Sequence, residues 1–254
     1  MELFDALILG IVEGITEFLP VSSTGHLILA SSLLGIEQTD VHKTFEVVIQ
    51  LGSILAVIFA FKDKIFHSLE LWKRLIVGFI PTAVLGLTLY KIIKSLFAPE
   101  TVAYMLVIGG VIFILVELFY KEKEHHIGSV EQISYKQAFL IGLFQSMAMV
   151  PGTSRSGATI IGGILIGLKR KTATEFSFLL AVPTMLAATA YDILKHHSEF
   201  DFSQAQALGV GFVTAFIVAL AIIKWFLSFV KKHSFIPFGI YRIVVGLIFL
   251  GVVL

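Results

Sequence analysis

Charged and hydroxyl side chains are concentrated in two short stretches of an otherwise strongly apolar chain. The first stretch reads EGITEFLPVSSTGH over residues 13–26, and the second reads PGTSRSG over residues 151–157. Ionisable groups inside a membrane are energetically unfavourable, so they usually mark a functional site. Two carboxylates, an imidazole, a guanidinium and several hydroxyls are groups that bind and transfer phosphate. The two stretches therefore predict chemistry on a phosphate group within a membrane.

The first stretch contains two carboxylates, Glu13 and Glu17, at a spacing that places both on one face of a helix. Adjacent carboxylates repel each other unless a cation or a shared proton relieves them. Mg²⁺ and Ca²⁺ bind oxygen ligands of this kind and often share them with substrate phosphates. The pair therefore predicts a divalent-cation site for Mg²⁺ or Ca²⁺. A metal-free wet groove and a pair of proton-coupling acids are the alternatives.

One imidazole and three consecutive hydroxyls follow the acidic pair. His26 has an ordinary pKa of about 6.5, which suits proton transfer near neutral pH, and an imidazole can also attack phosphorus. Packing is the alternative role for a lone histidine. One of Ser22, Ser23 and Thr24 is expected to cap a helix, and the others could bind phosphate oxygens or supply a nucleophile. The catalytic candidates of both stretches are Glu13, Glu17, Ser23, His26 and Arg155.

The second stretch places Arg155 between two serines. The arginine fork is permanently charged and matches phosphate geometry, with a structural carboxylate pair as the alternative. Each stretch leads into an apolar segment that begins at its turn, so two helix N-termini are expected to present N–H groups to one anion. Glycines in the turns permit close approach of the backbone. The residues expected to bind substrate are Ser22, Thr24, Gly25, Gly152, Thr153, Ser154, Arg155 and Ser156.

The composition is that of a protein embedded in a membrane. Of the 254 residues, 57% are hydrophobic and 15% are charged, whereas soluble domains have about 45–50% apolar and about 25% charged residues. The absence of cysteine excludes a disulfide, a thiolate nucleophile and a cysteine metal site. The net charge of +1 says little about partners. The bilayer is an expected partner, and no nucleic-acid partner is expected.

The two stretches belong to two halves of the chain that resemble each other in sequence. The halves are repeat 1, about 1–120, and repeat 2, about 136–254, within a single membrane domain, 1–254. A shift of 132 residues aligns matching positions, which are Gly10, Glu13, Ser22, Thr24 and Gly25 against Gly142, Gln145, Ser154, Ser156 and Gly157. Weaker matches follow in the same order, so a duplication is the interpretation that we favour.

Each half begins with an apolar segment that is interrupted by a turn, residues 2–33 and 136–168. The arms on either side of each turn are short for a membrane span, so both segments are expected to be re-entrant helix hairpins. The full spans are expected near 45–62, 74–93, 101–120, 175–194, 207–227 and 237–254. The expected fold is an all-α polytopic integral membrane protein with an inverted repeat, each half a re-entrant hairpin plus three transmembrane helices.

The distribution of basic residues predicts the orientation of this arrangement. Most of the 19 basic residues lie in loops on the side reached after the first full span. Loops rich in Lys and Arg stay in the cytoplasm. Both termini are therefore expected outside, and the two hairpins are expected to enter from opposite faces. The few basic residues assigned to the outer side are Lys43, Lys91, Lys94 and Lys195.

These motifs resemble the undecaprenyl pyrophosphate phosphatase family, the bacitracin-resistance type of bacterial inner-membrane enzyme. The resemblance rests on the E-x-x-x-E helix, on PVSSTGH and PGTSRSG, and on further similar segments at 45–53, 175–183 and 234–238. It implies removal of the terminal phosphate from a C55 isoprenyl diphosphate, which recycles the lipid carrier for peptidoglycan synthesis. It also implies a divalent cation, a multi-pass location in the inner (plasma) membrane, and a site facing the periplasm or cell exterior.

The resemblance also implies roles for individual residues. Glu13 and Glu17 would be metal- or water-handling acids, His26 the catalytic imidazole, and Ser23 a nucleophile or an orienting hydroxyl. Ser154 and Arg155 would hold phosphate. The attacking group stays open between His26, Ser23 and a water activated by His26.

A secondary transporter or lipid-phosphate flippase is the alternative from another functional class. Opposed broken helices in inverted repeats are a transporter plan, and Glu13, Glu17 and Arg155 could couple movement of substrate to protons. Release of inorganic phosphate distinguishes the two. The oligomeric state, with a homo-oligomer possible, and the isoprenoid chain length stay open.

Overall fold

The computed structural model describes residues 1–37, 39–196 and 205–253. Within these ranges the chain is helical and has no β-strand, apart from one isolated parallel bridge between Ile127 and Leu168. The α-helices of the described chain are α1 (Leu3–Thr16), α2 (Ser23–Leu33), α3 (Asp40–Ala60), α4 (Lys62–His67), α5 (Leu69–Thr88), α6 (Tyr90–Ser95), α7 (Pro99–Phe119), α8 (Tyr135–Ser146), α9 (Arg155–Leu165), α10 (Arg170–His196), α11 (Ala205–Phe229) and α12 (Ile236–Val253).

Among the described residues, five helices are long and apolar enough to cross a membrane: α3, α5, α7, α10 and α11. The all-helical, polytopic class that the sequence predicts is confirmed at this level. The sequence also predicts a sixth span over 237–254, which corresponds to α12. The apolar stretch of α12, Ile236–Gly251, is shorter than the other five, and residue 254 lies outside the described residues.

The span predicted over 74–93 is displaced towards the N-terminus in the structure, where α5 covers Leu69–Thr88. Ser68 is the cap of this helix, and its side chain accepts a hydrogen bond from a backbone N–H of the first turn. Hydropathy assigns the charged residues of this turn to a loop, yet Glu70 and Lys73 are helical and form an ion pair of 2.6 Å. Capping therefore decided where the helix begins.

Both interrupted segments fold as helix–turn–helix hairpins, as predicted. Pro20 lies in the turn between α1 and α2, and Pro151 lies in the turn between α8 and α9. The arms contain 14, 11, 12 and 11 residues, which is short of the about 20 that a membrane span requires. Ser22 and Ser154 cap the outgoing arms with φ of 74° and 73°. Left-handed backbone at a residue other than glycine is uncommon and clusters at functional sites.

Small residues allow the hairpins to pack closely against long helices of the opposite half. Helix α1 packs on α11, and α8 packs on α5. A Cβ atom at Gly10 of α1 would lie 2.7 Å from the Gly211 carbonyl oxygen, and one at Gly142 of α8 would lie 2.0 Å from that of Gly78. Gly10 therefore serves helix packing, because no larger side chain fits at this distance.

The main core lies where the two hairpins meet α10 and α11. Phe18, in the turn between α1 and α2, and Phe178 of α10 are fully buried, and their ring centroids lie 5.1 Å apart at an edge-on angle. Phe226 of α11 continues this aromatic cluster, with its centroid 6.1 Å from that of Phe178. Burying such rings is strongly favourable and fixes the turns relative to the long helices.

Candidate active site

A cavity of about 180 Å³ lies between the turns of the two hairpins. The turn after α1 and the start of α2 form one wall, and the turn before α9 forms the other. Side chains of α3 and α10, and of the connection between α6 and α7, complete the lining. The lining residues are Glu17, Ser22, Ser23, Thr24, Gln50, Phe97, Ala148, Met149, Pro151, Gly152, Ser154, Arg155 and Met185.

A charged pair connects the two predicted stretches across this cavity. The Arg155 guanidinium donates to Glu17 Oε1 at 2.7 Å, and Ser23 Oγ donates to Glu17 Oε2 at 2.5 Å. Arg155 also donates to the carbonyl oxygen of Ser177 at 3.0 Å and lies 5.7 Å from the ring centroid of Phe18. Three sequence candidates therefore form one cluster, in which Glu17 neutralises the arginine.

Arg155 keeps hydrogen-bonding capacity in this arrangement. Its Nε atom is buried and has no hydrogen-bond partner among the described residues. The side chain is 13% exposed, so its charge is largely shielded from water. Arg155 lines the cavity together with Ser23 and Ser154, so its guanidinium is suited to bind an oxyanion there.

Glu13 lies one helical turn before Glu17 and is fully buried. Neither of its carboxylate oxygens has a hydrogen-bond partner within the described parts of the chain. An unpartnered buried carboxylate requires a cation or a proton, so this donor set fits a divalent cation. The same ranges contain no group of three His, Cys, Asp or Glu side chains that could hold a metal ion. Substrate phosphate oxygens and water would therefore supply most of the ligands.

His26 contacts α12 and is not among the lining residues of the cavity. Its Nδ1 lies 2.8 Å from the Ser22 carbonyl oxygen and its Nε2 lies 2.8 Å from the hydroxyl of Tyr241. Because a carbonyl only accepts, Nδ1 carries a proton and donates it to Ser22. The two rings are stacked, with centroids 5.5 Å apart. These contacts hold the His26 ring against α12, and His26 does not line the cavity.

The other candidates that do not line the cavity lie behind its walls. Ser156 Oγ donates to the carbonyl oxygen of Leu19 at 2.8 Å and lies 3.1 Å from Ser154 Oγ, so it connects the hairpins. The backbone N–H groups of Gly25 and Gly157 donate to the capping serines. The candidates that support the cavity without lining it are Glu13, Gly25, His26, Thr153 and Ser156.

Arg242 of α12 is a structural residue that the sequence analysis missed. It is fully buried and donates to five backbone carbonyls at 2.9–3.3 Å. One acceptor belongs to the first turn and two belong to the second, so this side chain ties both turns together. The signal was present, because a lone arginine inside an apolar helix normally has a specific role. The acceptors are the carbonyl oxygens of Pro20, Met105, Leu106, Gly152 and Thr153.

Glycine is required at position 152 for two separate reasons. Gly152 has φ of +89°, and a Cβ there would lie 2.4 Å from the Val102 carbonyl oxygen. We expect Gly152→Ala to lower the free energy of unfolding by roughly 2–4 kcal/mol, because strain and displacement of the turn add together. Thermal unfolding of the purified protein in detergent measures this loss.

Gly35→Ala is the matched control for Gly152→Ala. Gly35 has φ of +71°, and no described atom lies within 4 Å of its ideal Cβ position. Only the backbone strain then applies, so we expect a loss of about 1 kcal/mol. Equal losses in the two variants would contradict the role of the close contact at Val102.

The chain is similar over its full length to known proteins. The family model described as bacitracin resistance protein BacA matches residues 6–248. A relative from Persephonella marina named undecaprenyl-diphosphatase is 63% identical over 254 residues, with both chains covered completely. Relatives of the same name from Sulfurihydrogenibium sp. and Wolinella succinogenes are 62% and 59% identical, with 98% of each chain covered. The chain therefore belongs to the bacitracin resistance protein BacA family.

Proposed function

We propose that this chain is an undecaprenyl-diphosphatase, which hydrolyses the diphosphate of the C55 polyprenyl lipid carrier to the monophosphate and inorganic phosphate. The cluster of Arg155, Glu17 and Ser23 at the cavity between the hairpin turns carries this proposal. Relatives that are named undecaprenyl-diphosphatase cover the full length of the chain. The reaction returns the lipid carrier to cell-wall synthesis, in keeping with the bacitracin-resistance family.

The polar groups of the cavity suit phosphoryl transfer. Arg155 would exchange its bond to Glu17 for bonds to phosphate oxygens and so neutralise charge on the transferred group. The capping residues Ser22 and Ser154 line the same cavity, so the N-termini of α2 and α9 add partial positive charge. Catalysis of this kind depends mainly on positioning and electrostatics.

The geometry favours Ser23 as the attacking group. Its hydroxyl already donates to Glu17 Oε2, so the carboxylate can accept the proton as Oγ attacks the terminal phosphorus. The new Oγ–P bond would replace the bond from that phosphorus to the bridging oxygen, which leaves with the lipid monophosphate. Water would then cleave the phosphoserine and release inorganic phosphate. His26 is the alternative, but its Nε2 would first have to leave Tyr241.

A divalent cation, Mg²⁺ or Ca²⁺, is part of the proposal. Glu13 offers two unpartnered buried oxygens, and Glu17, the C-cap residue of α1, lies one helical turn further along. When bound there, the ion would neutralise the diphosphate and the acidic pair. The chain's own contribution is to hold both carboxylates on one rigid helix beside the cavity.

We further propose that the two halves form an inverted repeat with re-entrant hairpins. Two observations support it. Ser22 and Ser154 occupy matching positions with the same φ and the same bond from a glycine three residues later. The packing of α1 on α11 corresponds to that of α8 on α5, and α7 pairs with α12. In each case a helix of one half packs on a helix of the other half, and the corresponding pair has the halves reversed. A two-fold relation between the halves requires this arrangement.

The proposed orientation places the termini and the cavity towards the periplasm or cell exterior. Phe97, in the connection between α6 and α7, lines the cavity. That connection belongs to the side whose loops carry few basic residues. The positive-inside rule assigns this side to the exterior.

Release of inorganic phosphate from a long-chain isoprenyl diphosphate tests the activity and its metal dependence. We expect release with Mg²⁺ or Ca²⁺, and at least about a tenfold lower rate after EDTA, restored by adding the metal back. Glu13→Gln is expected to raise the metal concentration for half-maximal rate by about tenfold or more, because the amide lacks the negative charge.

The control for Glu13→Gln is Glu37→Gln, which removes an exposed carboxylate outside the cavity. If phosphate release were insensitive to EDTA, the proposed metal dependence would be wrong, and the proposed phosphatase activity would still hold. No release by folded protein under any of these conditions would instead favour the transporter or flippase alternative.

A further inference from the structure

A second cavity, of about 580 Å³, lies far from the hairpin turns, where α7 and α9 end. We refer to it as the α7–α9 groove. It shares no lining residue with the cavity between the hairpin turns. The lining residues of the groove are Leu115, Val116, Phe119, Tyr120, Lys121, Lys123, His126, Ile164, Leu165 and Gly167.

The walls of the groove are held in place by backbone hydrogen bonds. The N–H of Ile127 donates to the Gly167 carbonyl oxygen at 3.0 Å. In return, the Ile127 carbonyl oxygen accepts from the N–H of Lys169 at 3.0 Å. The hydroxyl of Tyr120 donates to the Leu168 carbonyl oxygen at 3.0 Å. The segment after α7 is therefore fastened to the end of α9, and the groove is preformed.

The charge that faces the groove is positive. Lys121 and Lys123 line it, whereas the alternating residues Glu122 and Glu124 do not. Among the ion pairs between described residues, none includes either lysine.

The buried carboxylate of Glu117, which follows the lining residue Val116 in sequence, is neutralised by an arginine. Glu117 accepts two hydrogen bonds from Arg170, at 2.9 and 2.6 Å. Arg170 also lies 3.9 Å from Glu122, which accepts a bond from the Arg170 backbone N–H. These carboxylates are turned towards Arg170, so the charge of the two groove lysines is unopposed by an acidic side chain in the lining.

Other lining residues of the groove are apolar and exposed. Phe119 is 84% exposed, Leu165 is 56% exposed and Leu115 is 49% exposed. Phe119 is also the last residue of the candidate membrane span α7. Apolar side chains followed by two lysines are expected at the boundary between the hydrocarbon core of a bilayer and its headgroup region.

We propose that the α7–α9 groove binds an anionic phospholipid of the bilayer. The acyl chains would lie along Leu115, Phe119 and Leu165, and the headgroup phosphate would lie between Lys121 and Lys123. Basic pockets between membrane helices bind anionic headgroups in this way. The occupant follows from complementarity, because a free phosphate would leave the apolar side chains unused and a zwitterionic lipid would leave the lysine charge unmatched. The site is independent of the proposed hydrolysis.

Native mass spectrometry of the full-length protein in detergent, titrated with phosphatidylglycerol, tests the proposal. The test variant is Lys121→Gln/Lys123→Gln. The matched control is Lys231→Gln/Lys232→Gln, which removes two exposed lysines from the connection between α11 and α12, outside the groove lining. We expect the test variant to bind phosphatidylglycerol about tenfold more weakly, and the control variant to match the unmodified protein. Phosphatidylcholine with the same acyl chains and inorganic phosphate are the comparison ligands.

Several results would overturn the proposal. An equal loss of phosphatidylglycerol affinity in both double variants would indicate general attraction to surface charge. An unchanged affinity in the test variant would show that the two lysines do not bind the lipid. Phosphatidylcholine binding as tightly as phosphatidylglycerol would exclude recognition of charge. If inorganic phosphate displaced phosphatidylglycerol at a concentration similar to that at which the lipid binds, the groove would be a site for a free anion rather than for a lipid. Thermal unfolding of each variant verifies that the fold is intact.

Discussion

Arg155→Ala is expected to lower kcat/KM for undecaprenyl diphosphate by about 10³-fold or more, equivalent to about 4 kcal/mol of transition-state stabilisation. The guanidinium connects the two hairpins through Glu17, and Arg155 lines the cavity between the turns. Its removal deprives the transferred phosphoryl group of its principal positive partner from the chain. It also leaves Glu17 repelling the substrate, so the variant loses attraction and gains repulsion at the same place.

Arg155→Lys distinguishes the contribution of the positive charge from that of the planar guanidinium geometry. Lysine keeps the positive charge but lacks the planar fork, so we expect an activity between those of the alanine variant and the unmodified protein. Lys73→Ala is a control that removes one positive charge from an exposed ion pair with Glu70. Steady-state phosphate release is the measurement, with thermal unfolding to verify the fold. Near-normal turnover by folded Arg155→Ala would contradict the site assignment.

Arg242→Leu is expected to produce the largest loss of stability among the proposed substitutions. The leucine would remove the donor of five buried or part-buried hydrogen bonds to carbonyl oxygens, three of which belong to the hairpin turns. Each buried carbonyl that loses its partner costs about 1–3 kcal/mol, less where water or a rearrangement replaces the bond. We expect a total loss of at least about 4 kcal/mol, which lowers the unfolding midpoint by about 10 °C.

The neighbouring substitution Tyr241→Phe is the matched control for Arg242→Leu. Tyr241 lies on the same helix as Arg242, and the substitution removes a single hydrogen bond between the Tyr241 hydroxyl and His26 Nε2. We expect it to cost about 1 kcal/mol. Thermal unfolding in detergent compares the two, and an unchanged midpoint in Arg242→Leu would contradict the proposed connection between the turns. Arg155→Ala and Arg242→Leu are thus distinguishable, since the first chiefly affects turnover and the second affects the fold.

Sequence determined much of the architecture because hydropathy and turn residues act locally. The interrupted segments around Pro20 and Pro151 are hairpins in the structure, with helix ends close to those predicted. The apolar runs became long helices, because an uninterrupted apolar segment forms its hydrogen bonds internally in a membrane. Polar residues in such surroundings are rare, so Glu17, Ser23 and Arg155 were identifiable by type alone, and the structure places them together.

Tertiary structure alone decided where the remaining side chains point. His26 was expected beside the acids, but its ring faces Tyr241, a residue 215 positions away. Arg242 bonds to carbonyls 222 and 90 positions away, and Glu13 lies beside the cavity without lining it. Residue type and spacing define which groups share a helix face. The direction of a side chain depends on contacts between distant helices, and these contacts exist only once the two halves have packed together.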